Sequence, residues 1–459
     1  MSDIKVTSNT LRGEKKMTTK LTSKTQEAIQ VIASKAKEDP NCKFTSLAHL
    51  LAEDFLKECF RELKKNKSPG IDGITVNEYE EQLDENIAEL VARLKAKQYK
   101  PKPVKRVYIP KSNGDKRPLG IPAVEDKIVQ MAIKKILEAI FEQDFMDSSF
   151  GFRPNRSCHD ALKQIDKIIM NCPVNFIVDM DISKFFDTVN HKCLMEFLRQ
   201  RIVDSSLLQL ISRFLKSGIM EEGIYFETEQ GTPQGGILSP VLANVYLHYV
   251  LDSWFQTEVI PQLNGFAQLV RYADDFVVCF ENEKEARIFG DALRQRMSKF
   301  GLTISEEKSK IIEFGRCTCQ MAKKYGFKCE TFDFLGFTHF CDKTRRGKFK
   351  LGRKTSRKKY TNKMKDMNVW LKHIRNRVEL KEWWKLLGSK LLGHYQYYGM
   401  SGNFRCLKNF YHNTLRTVFK WINRRSQRKS YNWDQFLNFI QFNPLPIPKI
   451  YHSLYNLNA

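Results

Sequence analysis

The chain of 459 residues carries 76 Lys and Arg against 52 Asp and Glu, a formal charge of +24 with a pI near 9.5. A hydrophobic content of 42% with 32 Phe excludes a disordered protein, and the length predicts about two to four domains around a large core. The positive excess argues against cationic partners and for a polyanion, nucleic acid first.

Residues 1–44 are polar and Lys-rich and predict a flexible basic extension. From Thr45, Leu47, Leu50, Leu51, Phe55, Phe60 and Leu63 follow a helical period that Ser68-Pro69-Gly70 stops. Asn77–Lys95 reads as a further helix. Strands at Val104–Pro110 and Lys116–Ile121 flank an Asn113-Gly114 turn signal. Helices follow at Val124–Phe141 and Cys158–Met170, then a strand at Asn175–Asp181, helices near 190–201 and 205–216, and a hairpin over Ile219–Thr228. The 21-residue run Gly231–Leu251 has no charged residue, but Pro233, Gly235, Gly236 and Pro240 interrupt it. A loop and then a buried helix fit that pattern better than a membrane span. Strands flank Asp274 and Asp275. A helix at Glu283–Phe300 and strands at Lys308–Phe314 and Phe334–Phe340 complete an α+β unit over 45–342. After it, residues 343–459 predict a basic α-helical domain.

Eleven Cys occur without framework spacing and without a secretory signal, which predicts a reducing cytoplasm. Cys317, Cys319, Cys329, His339 and Cys341 are clustered, but Cys-x-Cys is atypical of structural zinc and no zinc site is expected.

The chemistry concentrates in the run Arg271-Tyr-Ala-Asp-Asp-Phe-Val-Val-Cys-Phe280. Adjacent carboxylates repel, and strand-forming neighbours would bury them unless a divalent cation neutralised the pair. In Asp179-Met-Asp181, the two acids share a strand face and Asp181 lies at its end. Were the two strands neighbours, Asp181, Asp274 and Asp275 could together hold two Mg²⁺ for phosphoryl transfer. Lys111 and Arg117 bracket the Asn-Gly turn and could lean over a triphosphate. Gly231-Thr-Pro-Gln-Gly-Gly236 is a tight loop that could bring Gln234 to a nucleotide. Between Lys343 and Lys365, twelve of 23 residues are Lys or Arg and none is acidic. A second basic cluster spans Arg424–Lys429, and both suit phosphate contacts.

Together these segments resemble the bacterial group II intron-encoded reverse transcriptase/maturase family. The resemblance runs in family order from about residue 55 to the C-terminus. It is carried by Pro69-Gly-Ile-Asp-Gly-Ile74, Lys116-Arg-Pro-Leu-Gly-Ile-Pro122, Ser149-Phe-Gly-Phe-Arg-Pro154, Asp179–Asp187, Gly231–Pro240, Tyr272–Asp275, Glu307-Lys308-Ser309 and Phe334-Leu-Gly-Phe337. It implies a right-hand polymerase, with fingers and palm followed by an α-helical thumb or X domain that includes Gly393–Gly399.

By motif position, Asp181, Asp274 and Asp275 would be the metal-binding catalytic triad, with the carbonyl of Ile182 as an extra ligand. Phe186 would be the steric gate against a ribose 2′-OH. Lys111 and Arg117 would grip the dNTP triphosphate, Gln234 would contact the incoming nucleotide or the template, and Lys308 would assist pyrophosphate departure. Arg153, Arg345, Arg346, Lys354, Arg357, Lys358, Arg424, Arg425 and Arg428 would contact nucleic acid. The implied activity is RNA-directed DNA polymerisation with two Mg²⁺, combined with binding of the protein's own intron RNA for splicing and retrohoming. The partners would be an RNA template, a DNA or RNA primer, a DNA target and dNTPs, with no membrane; a homodimer is left open. The expected location is the bacterial cytoplasm, at the nucleoid when acting on DNA. The sequence leaves no room after the X region for the endonuclease domain of some members, so the expected primer comes from another source such as replication-fork DNA. Two alternatives are a domesticated relative acting in DNA repair or phage defence, and an RNA-binding splicing factor with a lapsed polymerase.

Overall fold

The computed structural model describes residues 24–110, 116–221, 223–232, 235–425 and 430–454. Helices α1 (Lys24–Glu38), α2 (Glu53–Arg61), α3 (Val76–Glu81) and α4 (Leu83–Lys95) precede a hairpin of β1 (Val104–Pro110) and β2 (Lys116–Ile121). Helices α5 (Val124–Phe141) and α6 (Cys158–Asn171) lead into β3 (Phe176–Asp181), followed by α7 (Phe185–Thr188), α8 (His191–Leu198) and α9 (Ser205–Leu215). The short hairpin of β4 (Ile219–Glu221) and β5 (Ile224–Phe226) precedes α10 (Ser239–Leu247), which runs on into π-helical turns at His248–Asp252 and Phe255–Val259.

Next come β6 (Ala267–Tyr272), β7 (Asp275–Phe280), α11 (Glu283–Lys299), β8 (Lys310–Glu313) and α12 (Arg316–Tyr325). A third group of strands, β9 (Thr331–Phe334), β10 (Phe337–Lys343) and β11 (Phe349–Thr355), joins this region to α13 (Arg357–Ile374), α14 (Leu380–Tyr398), α15 (Phe404–Ile422) and α16 (Trp433–Phe442).

The strands form three sheets, ordered β2-β1-β4-β5, β6-β7-β3-β8 and β11-β10-β9. The second is the centre of the molecule. Its strands alternate with a period of two, so each face feeds a different core. Val178, Met180, Phe276, Val278 and Phe280 join α5, α8, α10 and α11 in one cluster. Ile177, Val277, Cys279 and Ile312 join α6, the third sheet and the C-terminal helices in the other.

Local chemistry sets the helix starts. Thr75 with Glu78 and Ser157 with Asp160 form reciprocal capping boxes for α3 and α6. Asp204 caps α9 and also accepts from the backbone N–H of Leu47 and Ala48, at 2.6 and 2.7 Å, tying the N-terminal segment to it.

Four expectations need correction. Residues 24–44 are not a flexible extension: α1 packs on α5, Ala36 is buried, and Arg201 donates to the carbonyls of Ala36 and Pro40. The helix expected over Asn77–Lys95 divides at Gln82, whose backbone leaves the helical region (φ −124°, ψ 40°). The strand expected over Phe334–Phe340 is two strands, reversed by Leu335 (φ 49°) and Gly336 (φ 80°). The boundary expected at 342/343 falls inside a hairpin, because β11 pairs along β10 from Phe337↔Thr355 to Lys343↔Phe349. The Lys and Arg of β11 hid a strand whose inward residues are apolar or internally paired.

Candidate active site

Antiparallel pairing of β3 with β7 sets Asp181 directly opposite Asp275, and β6–β7 pairing sets Tyr272 opposite Asp275, leaving Ala273 and Asp274 as the turn. The three acids expected to act together therefore meet at one end of the central sheet. Asp179 lies two residues back on the same face of β3.

The electrostatics record their crowding. Asp275 is exposed at the strand end, yet the protein packed around its carboxyl, then Asp274 and Asp181, push its pKa up to about 7. Burial pushes Asp179 up to about 7 as well, reinforced by Asp275, Asp333 and Asp181. Burial and Asp181 raise Asp274, while Arg117 and Arg271 oppose the rise. Arg117, from β2, is near enough to the acid turn for its charge to act on Asp274.

The turn is held from below. Arg271 is fully buried and donates through Nε and Nη2 to both carboxylate oxygens of Asp252, and through Nη1 to Asn244 Oδ1 (3.1 Å) and to the Ala273 carbonyl (3.0 Å). Ala273 has φ 58°, a left-handed conformation that costs a non-glycine residue about 1 kcal/mol or more, so the clamp on its carbonyl holds a strained turn. The Phe150-Gly151 strap closes the other side: Phe150 N–H donates to the Arg271 carbonyl at 2.8 Å, and Asn244 Nδ2 donates to the Gly151 carbonyl at 2.7 Å. A Cβ on Gly151 would stand 2.2 Å from the Ala273 nitrogen, so only glycine fits there.

Phe186 lines a cavity of about 280 Å³ together with Arg106, Leu119, Gly120, Gly231 and Thr232. The Gly231 loop is laced onto the Phe186 turn: Thr232 N–H donates to the Phe186 carbonyl at 2.7 Å and Gly231 N–H to the Val189 carbonyl at 2.8 Å. A Cβ on Gly231 would lie 2.9 Å from the carbonyl oxygens of Phe186 and Asp187, and its φ of 87° also requires glycine. His191 Nε2 meets the Gly231 carbonyl from below at 2.6 Å.

Lys308 Nζ donates to Asp181 Oδ2 at 2.7 Å. Ile182 continues the line of β3 through an isolated bridge to Ile304, and the Asp181 carbonyl accepts from Ser305 N–H at 2.8 Å. Lys111 and Gln234 lie outside the described residues, as do the Asn113-Gly114 turn and Arg428.

Among the described residues, no three His, Cys, Asp or Glu side chains are grouped so as to hold a metal ion as they stand. At the acid turn, Asp181 is engaged by Lys308. The donor set nonetheless fits a hard divalent cation: carboxylate oxygens only, crowded so that neighbouring like charge adds to burial in raising Asp274 and Asp275.

Of the residues expected at a nucleic-acid surface, Arg345, Arg346, Lys354, Arg357, Lys358 and Arg424 are exposed, and Arg425 is half-buried. Arg153 is a correction. It is buried, and its guanidinium donates to Glu142 and to the carbonyls of Phe145, Met146 and Ser149. Its five donors are spent holding the Ser149–Pro154 strap, which leaves none for a phosphate. Sequence reasoning missed the Arg271–Asp252–Asn244 clamp. The only signal was a charged residue inside an otherwise apolar strand, and its partners lie 19 and 27 residues away.

An antiparallel central sheet with paired acids at one end, a strand hairpin that carries Arg117 and a glycine loop beside a cavity define a palm and fingers of the template-directed polymerase class. The reverse transcriptase (RNA-dependent DNA polymerase) family matches residues 109–339. Protein YkfC of Escherichia coli (strain K12) is 34% identical over 290 residues, 56% of this chain and 76% of that protein. Group II intron-encoded protein LtrA of Lactococcus lactis subsp. cremoris is 34% identical over 304 residues, 64% of this chain, and the match spans 50% of LtrA's length. Nuclear intron maturase 4, mitochondrial, of Arabidopsis thaliana is 32% identical over 133 residues, 29% of this chain and 16% of that protein. The chain belongs to the group II intron-encoded reverse transcriptase/maturase family. No helix among the described residues is long and apolar enough to cross a membrane.

Proposed function

We propose that the protein is an RNA-directed DNA polymerase that adds dNTPs to a primer 3′-OH and also holds intron RNA to assist its splicing and retrohoming. The observation that carries the reading is the register of β3 and β7, which sets Asp181 against Asp275 beside the Asp274 turn. Asp181, Asp274 and Asp275, with the Ile182 carbonyl, would hold two Mg²⁺. When bound, these supply activation of the primer hydroxyl and neutralisation of the leaving pyrophosphate. The primer oxygen attacks the α-phosphorus, a phosphodiester bond forms and the bond to pyrophosphate breaks.

The chain's own groups bind and orient. Arg117, with Lys111, balances triphosphate charge opposite the acids. Phe186 occupies the space a ribose 2′-OH would need, the Gly231 loop lets backbone approach the nucleotide, and Gln234 is assigned to contact with the nucleotide or template. Lys308, already on Asp181, meets the negative charge that develops on the leaving group. The exposed cations of the β10–β11 turn, β11 and α13 suit the phosphates of template–primer or intron RNA. The maturase named among the relatives supports the splicing role.

Primer extension by Asp274→Asn and Asp181→Asn tests the reading. Both should lose about 10³-fold or more in rate while retaining RNA affinity within about twofold. Extension at the unmodified rate by either variant would overturn the metal assignment.

A further inference from the structure

Helix α12 ends in the run Lys323-Lys-Tyr-Gly-Phe-Lys328, and every residue of it is exposed. Gly326, in the left-handed region at φ 79°, caps the helix and turns the chain so that Tyr325 and Phe327 both stand in solvent, 65% and 44% accessible. Lys324 Nζ lies 5.1 Å from the Tyr325 ring centre. Aromatics interleaved with lysines form a platform for unstacked bases with phosphates between them.

A second observation comes from the adjoining surface. An open cleft of about 920 Å³ runs beside β8, the edge strand of the central sheet, and its lining includes Lys310, Lys328 and Lys354 beside the carboxylate of Glu330. Phe340 lies in the same cleft, with Lys354 Nζ 5.5 Å from its ring centre. The cleft begins at Lys310 on β8, opposite Asp179 of β3, whereas Phe327 lies by Phe176 at the other end of β3, in a cavity where Arg287 and Lys328 stand among Glu283, Glu313 and Glu330. That separates the aromatic platform from the acid turn by about 16 Å of strand. The cations and the rings therefore form one track leading from the edge of the palm to its rear.

We propose that this track, from Lys310 and Lys354 through Lys328 to Tyr325 and Phe327, binds a single-stranded segment of nucleic acid outside the polymerase cleft. The bases stack on Tyr325 and Phe327, and the phosphates follow the lysines. Intron RNA and a displaced DNA strand share this chemistry, so RNA and DNA probes form separate arms of the test.

The full chain, first saturated with a primer–template duplex, is titrated with a labelled, unstructured 20-nucleotide RNA or DNA carrying a photoreactive thiopyrimidine. Tyr325→Ala with Phe327→Ala should weaken binding about 10- to 100-fold and leave the salt slope unchanged. Lys324→Gln with Lys328→Gln should reduce the slope of log affinity against log salt by about 0.7 for each phosphate no longer neutralised. Crosslinks should fall within residues 310–331 and 340–354. A preference for RNA or for DNA identifies the ligand, and equal binding of the two shows a site that reads only the chemistry they share. Unaltered affinity and salt slope in both variants, or crosslinks only elsewhere, overturn it. Because all four substitutions are on the surface and away from the acids, primer extension on a short duplex should stay within about twofold. A chain that binds single strands here yet fails to extend a primer refutes the polymerase reading alone.

Discussion

At the scale of single residues, the Asp pair depends on a side chain that never meets solvent. Arg271 uses its planar fork on Asp252, Asn244 and the Ala273 carbonyl at once, and no lysine reproduces that geometry. Arg271→Lys should therefore lower the rate of primer extension about 100-fold. The dNTP KM should change by less than about threefold, because the cavity beside Phe186, proposed for the nucleotide, is untouched. Steady-state kinetics beside a circular-dichroism melt would check this, and full activity in a folded variant would show that the turn holds itself. Phe186→Val opens the 280 Å³ cavity where a 2′-OH would point, so ribonucleotide incorporation should rise at least about 10-fold relative to dNTP. Unchanged sugar discrimination would remove the gate.

The acids were legible in the sequence because two like charges in an apolar strand demand an explanation, and the period of β3 put Asp181 at its end. The clamp was not, since a buried ion pair is made by partners that tertiary packing brings together. Arg153 shows the converse: an arginine in a polymerase motif reads as a phosphate contact, yet its donors satisfy carbonyls of its own loop.

At the scale of elements, local chemistry predicted helices better than it predicted where sheets end. The span of α5 follows from its apolar period, whereas β11, dense in Lys and Arg, reads as a helical surface until its pairing with β10 is seen. Its Arg353 is almost wholly buried against Asp166 of α6 at 2.6 Å, so one charge of the basic run fastens the third sheet to the palm. The packing of α14 on α15 carries a pH dependence. His394 is buried and stacks on Phe410 with ring centres 3.7 Å apart. Burial, then Lys363, pushes its pKa down to about 4.

The unfolded chain takes up a proton near pH 6.5 while the folded chain does not. The stability from this residue is complete above that pH and falls progressively between about 6.5 and 4, by no more than about 3 kcal/mol. His394→Phe keeps an aromatic ring in place and should flatten part of the acid slope in chemical denaturation at pH 4.5 and 7.5. His248, also pushed to about 4 by burial, would retain its share. An unaltered slope in His394→Phe would assign the acid lability elsewhere.

At the scale of the whole molecule, the central sheet makes the two regions read from the sequence a single folding unit. One face of the palm packs on the fingers-side core, and the other shares a core with Trp383, Leu387, Tyr395 and Phe410 of the C-terminal helices. Between them run β10–β11, the Arg353–Asp166 pair and the hydrogen bond from Tyr397 to the Leu335 carbonyl at 2.9 Å. A fragment ending at residue 342 keeps nearly every polymerase motif but has none of these. Phe337, fully buried with Tyr397 and Tyr398 beside it, would be uncovered, and β10 would become an open edge. Each large apolar side chain returned to water costs about 1.5–3 kcal/mol, so a few such exposures approach the whole stability of about 5–15 kcal/mol expected for a domain. The fragment 1–342 should therefore fail to give a cooperative thermal transition and should bind a hydrophobic dye, while the full chain melts with helices α13 to α16 protected from amide exchange together with the palm. A fragment that melts cooperatively within about 5 °C of the full chain would make the C-terminal helices a separate domain. The motif order in the sequence divides this protein into a polymerase and an appendage, whereas the packing makes the appendage half of the palm's support.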